Sequence, residues 1–194
     1  MCAEDWDNPE RYLPSAYSER VTIMQDALTL TKLSPFQRIL LITDGTLTEL
    51  LEAYLQEPII VIKLAETMLD STEAIPALEI NIGQKIIKRD ILLQGKETGK
   101  NWLYAESVIV PDRLEASFRE QLLGSKTPIG KLWLAHRLET FKEKLTFTAE
   151  PAGELADFFK VVTTDTLLSR TYRVFSQRLA IMMITEKFPQ QFYL

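Results

Sequence analysis

The sequence predicts an α+β fold whose sheet is mostly antiparallel. About six segments carry strand signatures, either β-branched runs or strict alternation of apolar and polar residues. They arrive in pairs joined by short turns, as hairpins do, and do not alternate regularly with helices. Roughly four or five helical stretches with recognisable start and stop signals lie between them.

The elements follow in chain order. Residues 1–33 mix Pro, Asp, Glu and Tyr over a weak apolar pattern, which reads as a wrapping N-terminal arm with one helical turn around 17–27. In "LSPFQRILLI", Ser34 suits an N-cap and Pro35 the first helical position, and Phe36, Ile39, Leu40 and Ile42 keep helical spacing. Asp44-Gly45 is a turn signal. Thr46 or Thr48 caps a second helix with Leu47, Leu50, Leu51 and Tyr54 on one face, ended by Pro58. "IIVIKLAETML" is a strand, and 71–84 is a connector. "KIIKRDILLQ" (85–94) and "NWLYAESVIV" (101–110) flank "GKETG" and form a hairpin. "PDRLEASFREQLLG" is a helix capped by Asp112 and stopped by Gly124. "SKTPIGKLW" is a loop leading to a short apolar segment. "ETFKEKLTFTAE" alternates, which puts Phe141, Leu145 and Phe147 on one face, and "PAGELADFFK" is a short helix. "LLSRTYRVFSQ" and "LAIMMITEKFP" are adjacent strands that turn at Ser176-Gln177-Arg178. No repeat, low-complexity tract or linker interrupts the chain, so 1–194 reads as one domain.

Composition narrows the chemistry. A chain of 194 residues that is 46% hydrophobic has enough apolar material for a core. Its 22 Lys and Arg against 27 Asp and Glu give a net charge of -5, which speaks against a nucleic-acid partner. Cys2 and His136 are the only residues of their types, which rules out a disulfide framework and a thiolate metal cluster. A zinc site would have to be built mainly from carboxylates, which zinc rarely accepts, so no metal is expected. His136 has no partner motif and is expected at the surface or a helix end. Cys2 has acidic neighbours, which raise a thiol pKa and make a poor nucleophile. "MCAEDWDNPERYLP" lacks the apolar run of a signal peptide, and no uninterrupted apolar stretch of about 18 residues occurs. A soluble cytoplasmic protein without a membrane span is expected.

Two charges fall on rows that should be buried. Side chains alternate faces along a strand. In "AIMMITEKFP", Glu186 therefore shares a row with Met182, Ile184 and Phe188, and in "KIIKRDILLQ" Arg89 shares one with Ile87, Ile91 and Leu93. A buried charge must be paired or hydrogen-bonded. One arrangement is a buried Arg89–Glu186 salt bridge. The other is a pocket in which each meets a ligand group. The row Leu103, Ala105, Ser107, Ile109 holds two small residues, which leave room either for a ligand or for a close helix. In "SKTPIGKLW", Pro128 and Gly130 constrain the backbone around Ile129, and Lys126 and Lys131 add positive potential, so the turn suits either an anion or an ordinary connector.

The pieces "DGTLT" (44–48), "KRDILLQG" (88–95), "YAESVIVP" (104–111), "KTPIGKLW" (126–133), "LLSRTYRVF" (167–175) and "IMMITEKFP" (181–189), in this order, resemble the chorismate lyase (chorismate pyruvate-lyase) family. The chain looks like the branch seen in cyanobacteria and some actinobacteria and archaea. The resemblance runs from about residue 35 to the C-terminus. It implies a six-stranded antiparallel sheet with helices closing over an internal ligand site. It also implies a reaction that converts chorismate to 4-hydroxybenzoate and pyruvate without metal or organic cofactor. By that resemblance Arg89 and Glu186 are the catalytic residues, and the Ile129 amide helps hold the ring carboxylate. Thr46 and Leu47 belong to the covering helical turn. Ser107 stands where the enterobacterial form carries a second arginine, so Arg170 or Arg173 becomes a candidate for the enolpyruvyl carboxylate. The product suggests quinone biosynthesis, plastoquinone or ubiquinone, or a glycolipid. The other function compatible with the same residues is a non-catalytic domain that binds or senses an aromatic acid.

Overall fold

A computed structural model describes residues 32–125 and 127–194. The N-terminal arm with its helical turn, Cys2 and Lys126 lie outside the described residues.

Helix α1 (Pro35–Ile42) starts as its sequence requires. Ser34 accepts from the Gln37 amide, and the Gln37 side chain accepts from the Ser34 amide, a closed capping box. Helix α2 (Leu47–Leu55) follows with Thr46 at its N-cap position, although no side chain caps it. It ends on Gln56 in the left-handed conformation (φ 57°) before Pro58 blocks further helix. The strands are β1 (Ile59–Asp70), β2 (Lys85–Gly95), β3 (Asn101–Ile109), β4 (Phe141–Pro151), β5 (Thr166–Ser176) and β6 (Leu179–Pro189). Between β3 and β4 lie α3 (Ala116–Gly124) and α4 (Ile129–Ala135), and α5 (Ala156–Phe159) precedes β5.

All six strands join one antiparallel sheet in the order β1-β2-β3-β6-β5-β4. It consists of two three-stranded meanders that meet where β3 pairs with β6. The β5–β6 turn uses Gln177 and Arg178, both at positive φ (49° and 67°), the twist a two-residue hairpin loop requires. One face of the sheet is covered by α1 to α4. There Leu40, Leu41, Leu47, Leu51, Phe118, Leu122 and Trp133 pack on Val61, Ile87, Leu103, Ile109, Val174 and Met182. No helix among the described residues is long and apolar enough to cross a membrane.

Three expectations are corrected. The helix expected from Pro111 is two pieces: a single 3-10 turn at Pro111–Arg113, then α3, which begins after Glu115, so Asp112 is not its cap. "PIGKLW" is not only a connector, because α4 starts at Ile129. The third concerns β4. Its ladder slips between Lys144 and Thr146, so Leu145 is a bulge residue. A bulge inserts one residue and reverses the facing of everything before it. Phe147 is buried (4% exposed), whereas Phe141, expected on its row, is 66% exposed.

The C-terminus is fastened to α1. Ser34 Oγ donates to the Tyr193 carbonyl (2.6 Å) and Gln37 Nε2 to the Gln190 carbonyl (2.7 Å). The fully buried Tyr193 ring lies edge-on to Phe188, and its hydroxyl donates to the Trp102 carbonyl (2.6 Å). Tyr193→Ala should lower unfolding stability by about 3–5 kcal/mol in urea titration, the scale of an aromatic cavity. Tyr193→Phe, which loses one hydrogen bond, should cost about 1 kcal/mol.

Candidate active site

Strand register sets inward-facing residues in rows across the sheet. One row runs Arg89, Ser107, Ile184, Tyr172, Lys144 from β2 to β4. The next runs Ile91, Ala105, Glu186, Arg170, Phe147. The row on the other side of the first runs Ile87, Ile109, Met182, Val174, Lys142. Between this face and the helices is a small, partly enclosed cavity. Its floor includes Arg89, Ala105, Ser107, Tyr172, Ile184 and Glu186, and its wall includes Lys142. Its roof is Thr46, Leu47 and Thr48 from the start of α2, and Pro128, Ile129, Gly130 and Trp133 from the start of α4.

Gly130 lets the two roof pieces meet. A Cβ at that position would run into the Thr46 side chain. The Ile129 and Gly130 amides at the start of α4 have no acceptor within the helix, whereas the Lys131 amide donates to the Pro128 carbonyl (3.0 Å).

Arg89 and Glu186 both face the cavity, but they are not paired with each other, so the buried salt bridge between them is not the arrangement found. Arg89 is 3% exposed, and its Nε and Nη2 are buried without a hydrogen-bond partner. Those two nitrogens share one edge of the guanidinium, the fork that grips a carboxylate bidentately. Glu66 Oε2 approaches Nε to 3.5 Å, an ion-pair contact that makes no hydrogen bond. Burial lowers the Arg89 pKa, and Glu66 partly opposes that shift.

Glu66 reaches this place through a bulge at Leu64, where the β1 ladder slips between Lys63 and Ala65. The slip brings Lys63 and Glu66 onto the same side, and Lys63 Nζ donates to Glu66 Oε1 (2.7 Å).

Glu186 is held from behind. Arg170 Nε donates to its Oε2 (2.6 Å) and the Tyr172 hydroxyl to its Oε1 (3.0 Å). A carboxylate has about four acceptor sites, so capacity remains on the cavity side. Arg170 does not line the cavity. Its Nη1 donates to the carbonyls of Leu40 (2.6 Å) and Thr43 (3.0 Å), closing the C-terminal end of α1. Burial alone would lower the Arg170 pKa, but Glu186 and Tyr172 beside it leave it raised. Burial and Glu186 hold the Tyr172 pKa well above the usual tyrosine value, so its hydroxyl remains a donor.

Of the other residues singled out, Ser107 Oγ donates to the Arg89 carbonyl (3.2 Å). Arg173 lies on the opposite face of the sheet with Glu143 (2.6 Å). Lys131 pairs with Glu52 (2.6 Å). His136 contacts Gln121 (3.0 Å) at the end of α4. Tyr172 and Lys142 are among the cavity residues that the sequence did not predict. Tyr172 sits two positions after Arg170 on the same β5 face, so the alternation test would have found it. Lys142 is turned inward by the Leu145 bulge, which alternation cannot foresee.

A family model described as "Chorismate pyruvate-lyase Rv2949c-like" matches residues 41–193, most of the chain. The chain belongs to that family. Within the Rv2949c-like chorismate pyruvate-lyase family, it is 35% identical over 159 residues to the chorismate pyruvate-lyase of Mycobacterium leprae (strain TN), covering 81% of this chain and 75% of that one. It is 31% identical over 162 residues to the chorismate pyruvate-lyase of Mycobacterium tuberculosis (strain H37Rv), covering 81% of each. Among solved structures it is similar to the effector domain of PhnF from Mycobacterium smegmatis, with a TM-score of 0.62, 14% identity, and 77% and 91% of the two chains covered. Against the longer PhnF structure the TM-score is 0.61, and 65% of that chain is covered. The ligand-binding domain of a putative GntR-family regulator from Bordetella bronchiseptica gives 0.52 at 14% identity, covering 67% of this chain and 82% of that one. At such identity these last likenesses speak for the fold alone.

Arg170→Met should leave Glu186 buried with an uncompensated charge. Its unfolding stability is expected to fall by about 3–5 kcal/mol. Lys144→Met removes a pair to Asp44, whose side chain is 70% exposed, and should change stability by less than about 1 kcal/mol. Paired denaturant titrations check both values.

Proposed function

We propose that this chain is a chorismate pyruvate-lyase that eliminates pyruvate from chorismate and leaves 4-hydroxybenzoate. The observation that carries the reading is the buried Arg89 edge without hydrogen bonds, on the same cavity as a carboxylate, Glu186, that retains acceptor capacity. A ligand with a carboxylate at one end and a hydroxyl at the other fits that pair. The names of the family relatives supply the molecule.

The ring of chorismate bears one carboxylate, a hydroxyl, and an enolpyruvyl ether on the carbon next to the hydroxyl. The ether C–O bond breaks, the hydroxyl-bearing carbon loses its proton, and the enolpyruvyl fragment gains one to become pyruvate. The ring becomes aromatic, so much of the driving force is in the substrate. The protein's part is to fix geometry and to stabilise charge moving onto the departing fragment.

Arg89 and the Ile129 amide hold the ring carboxylate in this scheme. Glu186 accepts from the ring hydroxyl and is the acceptor available for the ring proton. Thr46 and Leu47 close the site above, and Ser107 and Ala105 leave room for the ring. Arg170 acts by orienting Glu186, because its Nε and Nη1 are already engaged. Tyr172 holds the other carboxylate oxygen. We further infer that the product serves as the aromatic precursor of a quinone head group, since its para-hydroxylated ring is that skeleton.

Purified protein given chorismate should release pyruvate and 4-hydroxybenzoate in equal amounts. Arg89→Ala and Glu186→Gln should each lower turnover by about 100-fold or more, the scale of losing one group that stabilises the transition state. Binding of 4-hydroxybenzoate with no pyruvate above the uncatalysed rate would favour the sensing module. Near-wild-type turnover in folded variants would remove Arg89 and Glu186 from these roles.

A further inference from the structure

Chorismate carries two carboxylates, and Arg89 accounts for one. The three charged residues that line the cavity among the described residues are Arg89, Glu186 and Lys142. The other cations nearby are engaged elsewhere: Arg170 with Glu186 and the end of α1, Lys131 with Glu52, Lys63 with Glu66, and Lys144 with Asp44. Lys142 makes no ion pair among the described residues. Its Nζ donates to the Gly45 carbonyl (3.0 Å), which leaves two of three ammonium donors.

We propose that Lys142 is the second cationic anchor of this site and binds the carboxylate of the enolpyruvyl arm. The inference rests on chorismate being the substrate.

The placement supports it in two ways. Arg89 is on β2 and Lys142 on β4, four strand spacings apart, or about 19 Å along the sheet, so their side chains enter the cavity from opposite sides. A ligand with two anionic ends meets opposite charge at each. Second, Lys142 is close enough to Glu186 to feel its charge, and Glu186 is where the ring hydroxyl is read. The enolpyruvyl ether is on the carbon beside that hydroxyl, so its carboxylate points to the Lys142 end.

The environment of Lys142 suits a ligand more than it suits an empty site. Burial lowers its pKa. Glu186 and Asp44 oppose that shift, and Arg170 and Lys144 add to it. The rings of Trp133 and Tyr172 lie 5.1 and 5.6 Å from Nζ and exclude water on that side. A desolvated ammonium with free donors gains most from an added carboxylate.

A lysine that only fastens the Gly45 loop predicts something different, and 4-hydroxybenzoate tells the two apart because it lacks the enolpyruvyl carboxylate. Lys142→Met should raise KM for chorismate by about 10–100-fold, the worth of a charge-assisted hydrogen bond. It should leave the dissociation constant of 4-hydroxybenzoate within about twofold of wild type, and Lys142→Arg should restore most of the loss in KM. If Lys142→Met does not fold, Lys142→Gln provides the same comparison. An unchanged KM, or parallel losses for chorismate and 4-hydroxybenzoate, overturns the proposal. A wild-type protein that makes no pyruvate overturns the reading beneath it, a result distinct from either.

Discussion

The Arg170–Glu186 pair is the interaction on which the other features of the site depend. A carboxylate on the buried row of a central strand is tolerable only with partners, and Arg170 supplies one at 2.6 Å from the next strand. The same guanidinium closes the carbonyl end of α1. One side chain therefore sets the acceptor on the cavity floor and anchors the helix that leads into its roof. Without that bond the covering segment 43–48 would lose its fixed starting point. Arg170 is for this reason part of the frame and is not a hand for the substrate.

The asymmetry between the two buried arginines divides structure from chemistry. Arg170 has Nε and Nη1 engaged, whereas Arg89 keeps two buried nitrogens without hydrogen bonds. Leaving buried donors unmade costs about 1–3 kcal/mol each. A cost of that size, placed on a cavity wall, is expected where a ligand completes the bonding. The fold alone would not separate an enzyme from an effector domain, since the PhnF effector domain has a similar sheet at 14% identity. The distribution of satisfied and unsatisfied charge in this cavity is what bears on its chemistry.

Edge strands contribute more than the sequence reading allowed. β1 and β4 are the two outer strands, and each carries a bulge, at Leu64 and at Leu145. Bulges favour sheet edges and re-aim side chains there. At β1 the slip turns Glu66 towards Arg89. At β4 it turns Lys142 and Lys144 inward and Phe141 outward. One edge thus brings Glu66 to Arg89 and the other brings Lys142 to the cavity, while β2 and β6 bring Arg89 and Glu186 by plain alternation.

By itself the sequence determined the strands, the hairpins, the capping box at Ser34 and the inward direction of Arg89 and Glu186. These depend on residues near one another along the chain, through a period of two or a cap three positions away. It also carried the family, through motifs that keep their order. Only the tertiary structure decided that Glu186 pairs with Arg170 and not with Arg89, that α4 begins at Ile129 under the Thr46 methyl, and that Lys142 faces the cavity. Each of those depends on strand order and on ladder slips between strands. Neither strand neighbours nor the position of a bulge are written in the alternation of a single segment. A one-residue slip reverses every facing before it, so local pattern holds for the uninterrupted stretches around Arg89 and Glu186 and fails where β1 and β4 slip.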